Sequence, residues 1–442
     1  MRLKSAVRLQ TVPPLLLASL CMKPFAAILA FMTVVALLGG CRSNTESGSR
    51  KVIVRMWVFP LLQELRDHEV YAKLKEGFRK EHPEIDVQIE TLPWTGRQQK
   101  MITAVAGNRA PDAVYLNMDL IARFEKLGLL LPLDPLVPET ELAEYDPLVR
   151  EGVAIRGQMY ILPILRTVAT GIYNKELFEK AGLDPEKPPA TWDELDKVAE
   201  KLTKDTDGDG QIDQWGLGYV MGSDSLNATF WPLLWQAGGN VLTPDGKHAT
   251  FAGPEGLEAL TFLTKQFKAG RIPHSYLNLG SNEFASGRLG YWFGASSAEL
   301  RQLRQDAPHL KIGTGLALTN KKRVGYSTIA GYGVFKSSKH PQETVLWLRY
   351  MTRLDNMKYL CRETSYFPAK RTTETLYPDD PIFATMEKEA PYCRPDIATP
   401  YARQIAQTLI PLIQNSVLGR TTPQEALDTA AKAVNEMLER ND

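Results

Sequence analysis

The sequence predicts an α/β protein of two lobes, on three observations. Short β-branched runs alternate with stretches of helical period along the N-terminal half. An apolar leader is followed by about four hundred residues, more than a single hydrophobic core usually organises. Hydrophobic side chains make up 44% of the chain, enough to fill two cores.

The elements justify that class in order. Val52-Ile53-Val54-Arg55-Met56-Trp57 reads as a strand, Val70, Leu74 and Phe78 recur at helical spacing, and Val87-Gln88-Ile89-Glu90 alternates with period two. The pattern then repeats. Residues 100–106 read as a helix, 111–116 as a strand, and 120–127 as a helix stopped by Gly128. Such alternation favours a mostly parallel sheet. Ligands of these sheets sit beyond the carboxyl ends of the strands, which here carry Trp57, Trp94, Asn117 and Asp119. Each also has a structural reading: a tryptophan fills a core, and Asp119 caps the next helix.

Residues 160–175 are extended and lead into a helix, 175–181, ended by Gly182. Thr191 caps a further helix with Glu194 three residues on, a capping box, and Leu195, Val198, Ala199 and Leu202 form its buried face. Trp231 and Trp235, beside Pro232, read as the start of a helix, and Trp292 as core within a strand at 289–293.

The leader has its own chemistry. An apolar run from Phe25 to Leu38 ends in Gly39-Gly40-Cys41 and opens onto the polar stretch Arg42–Arg50. A spanning helix needs about twenty apolar residues, so this shorter run suits a signal segment instead. It resembles a bacterial lipoprotein signal, which implies that residues 1–40 are removed, that Cys41 carries lipid and that 41–50 form a flexible tether. The resemblance implies an exported protein, lipid-anchored at the periplasmic or extracellular face of the cell membrane. Met22-Lys23 is an alternative start. The leader holds Arg2, Lys4, Arg8 and Lys23 but no acid, so the remainder is slightly acidic and has no charge basis for binding nucleic acid. Cys361 and Cys393 then have two readings, a disulfide in an oxidising compartment or two buried thiols.

From Tyr173 to Thr203, YNKELFEKAGLDPEKPPATWDELDKVAEKLT is similar to the signature region of family 1 extracellular solute-binding proteins, the sugar-capturing subunits of ABC importers. Other stretches fall in the family's order: GFRKEHPEIDVQIETLPW, AVAGNRAPDAVYLN, WQAGGNVLTPDGKHATFAGPEGLEALTFL, FASGRLGYWFGAS, AGYGVFKSSKHPQETVLWLRYMT and GRTTPQEALDTAAKAVNEML. The resemblance implies a two-lobe periplasmic-binding-protein-like fold with discontinuous lobes and a hinge. The first lobe is expected at 51–163 plus 324–366 and the second at 164–323 plus 367–442. Crossings fall near Pro163–Thr167, Val324–Ser327 and Tyr366–Ala369, with a sugar or oligosaccharide between the lobes. The implied partner is an ABC transporter permease. The protein is expected to act as a monomer, touching the membrane through its lipid only.

A sugar offers hydroxyls at its edge and C–H faces above and below, so its receptor needs flat aromatic surfaces and planar hydrogen-bonding groups. The resemblance places Trp57, Trp94, Trp231, Trp235, Tyr332 and Tyr366 as aromatic candidates, with Tyr326 also near the cleft. Asn117, Asp119, Arg166, Thr167, Gly294 and Ser296 are the hydrogen-bonding candidates. Arg166 has a second reading as a structural ion pair across the hinge; facing the cleft, it would favour an acidic or phosphorylated ligand.

Asp205, Asp207, Asp209, Gln211 and Asp213 occupy places one, three, five, seven and nine of a calcium loop, with Gly210 at the sixth. The twelfth place is Gly216, where a bidentate Glu belongs. A structural calcium and an acidic turn both remain open, and no other cofactor is expected. An exported carbohydrate-active hydrolase is the alternative function, though no carboxylate spacing marks an acid–base pair. Ferric capture ranks below it, since no Tyr-Tyr pair occurs. The sequence lacks His-Glu-x-x-His, Gly-x-Ser-x-Gly and Gly-x-x-x-x-Gly-Lys motifs. The expectation is therefore a binding protein without catalysis.

Overall fold

The computed structural model describes residues 51–62, 64–219, 221, 226–277 and 282–440. Cys41, the leader and the tether lie outside them. Among the described residues no helix is long and apolar enough to cross a membrane.

The strands that build the two main sheets and a joining ribbon run, in chain order, as β1 (Val52–Val58), β2 (Ile85–Thr91), β3 (Ala113–Asn117), β4 (Leu162–Arg166), β5 (Ile172–Asn174), β6 (Trp215–Gly218), β7 (Leu289–Trp292), β8 (Ile312–Thr314), β9 (Gly325–Ser327), β10 (Ile329–Val334), β11 (Phe367–Pro368) and β12 (Cys393–Pro395). The first sheet has the order β11-β4-β10-β3-β1-β2, the second β8-β5-β7-β6, and β9 pairs with β12 as a separate ribbon.

Within the two main sheets the parallel pairs are β1 with β2 and with β3, from the stretch read as strand, helix, strand, and β6 with β7; the β9–β12 ribbon is parallel as well. The remaining pairs of both sheets are antiparallel. The expectation of a mostly parallel sheet is corrected here. A local β-α-β crossover enforces parallel strands, whereas β4 leaves the first sheet for the second lobe and β10 returns from it, pairing antiparallel with both β4 and β3.

The principal helices are α1 (Glu64–Glu81), α2 (Arg97–Ala106), α3 (Met118–Lys126), α4 (Trp192–Leu202), α5 (Leu226–Gln236), α6 (Pro254–Lys268), α7 (Ser297–Asp306), α8 (Pro341–Met351), α9 (Leu354–Thr364), α10 (Ala402–Val417) and α11 (Pro423–Glu439). Glycines in the left-handed region stand where helices were expected to stop, at Gly128 (φ 67°) and Gly182 (φ 69°). The α4 cap differs from the expected box. Thr191 Oγ1 accepts from Glu194 N at 3.2 Å, but the Glu194 carboxylate passes over Thr191 and accepts from Ala190 N at 2.7 Å. Complete capping boxes occur instead at Ser296 with Glu299 and at Thr422 with Glu425. Trp231 lies at the middle of α5 and Trp235 in its last turn, with Pro232 inside the helix, rather than at its start.

Two hydrophobic cores divide the chain. The first draws on residues up to Leu165 and again on Ile329 to Leu376. The second takes Val168 to Tyr326, Phe367, and Phe383 to Leu438. The chain therefore changes core between 165 and 168 and again between 326 and 329. The last change spans 367–383, where Phe367 packs in the second core while Ala369 and Leu376 remain in the first.

Candidate functional site

Between the cores lies a cleft of about 1010 Å³, at the upper end of the range of roughly 300–1,000 Å³ for small-molecule sites. The first lobe lines it with Trp94, the turn and first residues of α2 (Thr95 to Gln99), and Asn117, Met118 and Leu120 where β3 passes into α3. The second lobe contributes Trp231 from α5, Gly294, Ser296, Ala298 and Glu299 around the start of α7, and Ala402, Arg403 and Ala406 from α10. The segments joining the lobes supply Thr167, Ala169, Tyr326, Thr328 and Tyr366, with Asp396 just beyond β12.

Trp94 is the most accessible aromatic of this lining, with 40% of its surface exposed. Its ring stacks on buried Phe59 at 5.0 Å and meets Tyr115 edge-on at 6.2 Å, and its Nε1 donates to the Pro60 carbonyl at 2.9 Å. The Arg97 guanidinium lies 4.9 Å from the indole centroid. The indole is thus held by the core beneath while part of its surface stays in solvent. Asn117, at the carboxyl end of β3, has a buried Oδ1 without a hydrogen-bond partner among the described residues. A buried acceptor left unpaired costs roughly 1–3 kcal/mol, which a ligand hydroxyl reaching it would recover.

The charges of this lining balance, Arg97 and Arg403 against Glu299 and Asp396. Glu299 is committed to the cap of α7, where it accepts from Ser296 N at 2.9 Å and from the Ser296 hydroxyl. Thr167 is committed to the hinge: its Oγ1 accepts from Thr328 N at 2.8 Å, and its carbonyl accepts from the Ser327 hydroxyl at 2.8 Å. Tyr366 lies partly buried, near the Arg301 guanidinium at 5.9 Å. Burial raises its phenol above the ordinary value, so it is a neutral donor at physiological pH.

The family model for bacterial extracellular solute-binding proteins matches residues 66–358. The chain belongs to this family. A binding protein of Brucella abortus is 24% identical over 417 residues, 92% of this chain and 97% of the relative. The maltotriose-binding protein of Pyrococcus abyssi is 26% identical over 246 residues, 55% of this chain and 49% of its own. Among solved structures, the cyclic α-maltosyl-1,6-maltose binding protein of Arthrobacter globiformis superposes with a TM-score of 0.78 at 22% identity, covering 88% of this chain and all of the other. That likeness gives the fold: a two-lobe α/β solute-binding protein.

Seven sequence candidates of this solute-binding protein line the cleft: Trp94, Asn117, Thr167, Trp231, Gly294, Ser296 and Tyr366. Trp231 reaches it from an almost fully buried position, packed near Phe230 and Phe251. Gly294 takes the left-handed conformation, φ 71°, that lets the loop after β7 turn into the cleft. Asp119 lies in α3 next to the lining, and its side chain is outside the described residues.

Four candidates are placed elsewhere. Trp57 is buried in the first lobe, its Nε1 donating to Glu90 Oε2 at 2.8 Å, because β1 pairs with β2 in the register that sets the two residues side by side. Tyr332 is fully buried, its hydroxyl 3.1 Å from that of Tyr71, since β10 is central in its sheet and buried on both faces. Trp235 stands one helical turn after Trp231 and packs behind Tyr326. Arg166 takes its structural reading: its guanidinium lies 3.3 Å from Asp146 Oδ2 and donates to the carbonyls of Cys393, at 3.3 Å, and Ala390. So placed, Arg166 is not offered to the cleft and gives no reason to expect an acidic ligand.

The residues missed from sequence are chiefly the opening turn of α2 and the Ala402, Arg403, Ala406 face of α10. Small residues at i and i+4 give no chemical signal; only the fold brings α10 to the cleft.

Cys361 and Cys393 are unpaired and sit in different cores, which settles their two readings in favour of buried thiols. Burial pushes the Cys393 thiol up to about 12 and that of Cys361 well up.

In the acidic loop, carboxylate oxygens of Asp205, Asp207 and Asp209 lie within 4.8 Å of one another, all exposed. Asp205 already accepts from Gly208 N at 2.7 Å and Gly210 N at 2.8 Å, and these bonds hold its carboxyl below the usual range. Asp209 accepts from Gln211 N at 2.8 Å, and Asp213 from Thr206 N at 2.9 Å. The loop adjoins β6 in the second lobe, and none of its residues lines the cleft.

Proposed function

We propose that this solute-binding protein captures a sugar or oligosaccharide in the cleft between its lobes and delivers it, as a monomer, to the permease of an ABC importer. In the same reading, lipid on Cys41 keeps it at the outer face of the cell membrane. The observation that carries the proposal is a firmly held, half-open indole, Trp94, in a large polar cleft of balanced charge fed by both lobes. An indole face suits the C–H surface of a sugar, and the surrounding amides, hydroxyls and charged groups suit its rim. A neutral ligand leaves the charge balance undisturbed. Because the groups that would touch it belong to two lobes, a ligand bridging them favours the closed arrangement.

The carbohydrate-hydrolase alternative needs two carboxylates available for proton transfer. Of the two in this lining, Glu299 is committed to the α7 cap, which favours binding over catalysis.

The test is a thermal-shift screen with mono- and oligosaccharides, maltotriose and cyclic maltosyl-maltose among them, and with mannitol and sn-glycerol 3-phosphate. A ligand at a hundred times its Kd stabilises by about 2.7 kcal/mol, and chromatography should return it chemically unchanged. A melting temperature unmoved across mono- and oligosaccharides contradicts the proposal; sugar cleavage favours the hydrolase.

For the acidic loop, three converging carboxylates support a structural calcium, while the amides already bound to them support a plain turn. Calcium that raises the melting temperature reversibly, with the rise lost in Asp207→Asn, supports the ion. Chelation without effect on melting or on proteolysis near Asp205 removes it.

A further inference from the structure

We infer that Trp235 is a positioning residue that sets the ring of Tyr326, a hinge residue facing the cleft, and so couples ligand contact to the lobe hinge. The inference rests on the cleft being the ligand site. Tyr326 sits in β9, one of the segments joining the lobes, and lines the cleft. Its ring lies nearly parallel to the Trp235 indole, 19° between planes with centroids 6.5 Å apart, an offset stack. The Arg394 guanidinium lies 4.8 Å over the same indole and donates to Asn240 Oδ1 at 2.9 Å. Arg394 is also the register partner of Tyr326 in the β9–β12 ribbon. The Tyr326 hydroxyl is left 3.5 Å from Asp396 Oδ2 and from Thr328 Oγ1, both residues of the lining.

This arrangement makes one indole responsible for a ring it does not share with the ligand. Trp235 and Trp231 stand four apart on α5, so one face of that helix supplies a cleft residue and, one turn on, the backing of the hinge tyrosine. The Trp235 Nε1 is buried without a hydrogen-bond partner among the described residues. A phenyl ring in its place therefore keeps an aromatic backing and forfeits no hydrogen bond, whereas leucine removes the stacking surface.

The experiment has two arms on the full chain. In ligand-free protein carrying ¹³C-labelled tyrosine, the Tyr326 ring resonance is identified by its loss in Tyr326→Phe. Trp235→Leu should move that resonance and broaden it, and Trp235→Phe should restore part of the shift. Should Trp235→Leu fail to fold, the graded displacement in Trp235→Phe decides. In the second arm, maltotriose affinity is measured for Trp235→Leu, Tyr326→Leu and the double variant. Each single change is expected to weaken binding about tenfold, and the double variant by clearly less than the product, as contacting residues do. A Tyr326 resonance indifferent to position 235, or strictly multiplicative losses, overturns the inference. A wild-type protein that ignores maltotriose counts against that sugar as ligand, while the ligand-free arm still decides the role of Trp235.

Discussion

Trp94→Ala should weaken carbohydrate binding by about 30- to 1,000-fold, or 2–4 kcal/mol, the range of an aromatic hot spot in a binding site. Stability should fall much less. The substitution removes the hydrogen bond to the Pro60 carbonyl, worth about 1 kcal/mol, and the stack on Phe59, worth roughly 0.5–1.5 kcal/mol beyond burial. Trp94→Phe separates the parts, since it keeps a ring for the sugar face but not the Nε1 bond. It should retain most of the affinity. Isothermal titration with the ligand found by thermal shift checks both variants; unchanged affinity in Trp94→Ala takes the indole out of the site.

Arg166→Met should behave in the opposite way, lowering stability by about 3 kcal/mol while leaving the lining of the cleft intact. Breaking a buried ion pair by removing one partner costs roughly 3–5 kcal/mol. The lower end is expected because Asp146 retains 21% side-chain exposure and still accepts from Leu148 N as the cap of the following helix. The loss should not be purely local. Arg166 fastens Asp146, beside the first core, to carbonyls at Ala390 and Cys393, beside the second. Denaturant unfolding followed by tryptophan fluorescence measures the change. Full stability with lost affinity would return Arg166 to the ligand site.

What could be read in advance was local or repeated. The strand–helix–strand pattern at 52–91 and the strand at 113–117 needed only periodicity, and the rule that ligands sit beyond carboxyl strand ends drew attention to Trp94 and Asn117, both in the lining. The errors came from pairing. Trp57 is one residue from the carboxyl end of β1, but its register with Glu90 ties it into the first lobe. Tyr332 resembles a ligand platform until β10 is known to be central and covered on both faces. The direction of β10 was equally hidden, because its antiparallel pairing depends on a return from the second lobe. On α10, Ala402 and Ala406 matter by being small, which no spacing announces.

Capture depends on a hinge that closes around the ligand, and small-angle X-ray scattering of the protein with and without a sugar that raises its melting temperature tests this most directly. The radius of gyration should decrease on saturation, and Trp94→Ala should need a correspondingly higher sugar concentration to show the same decrease. A saturated wild-type protein whose scattering curve is indistinguishable from the free one would contradict the account.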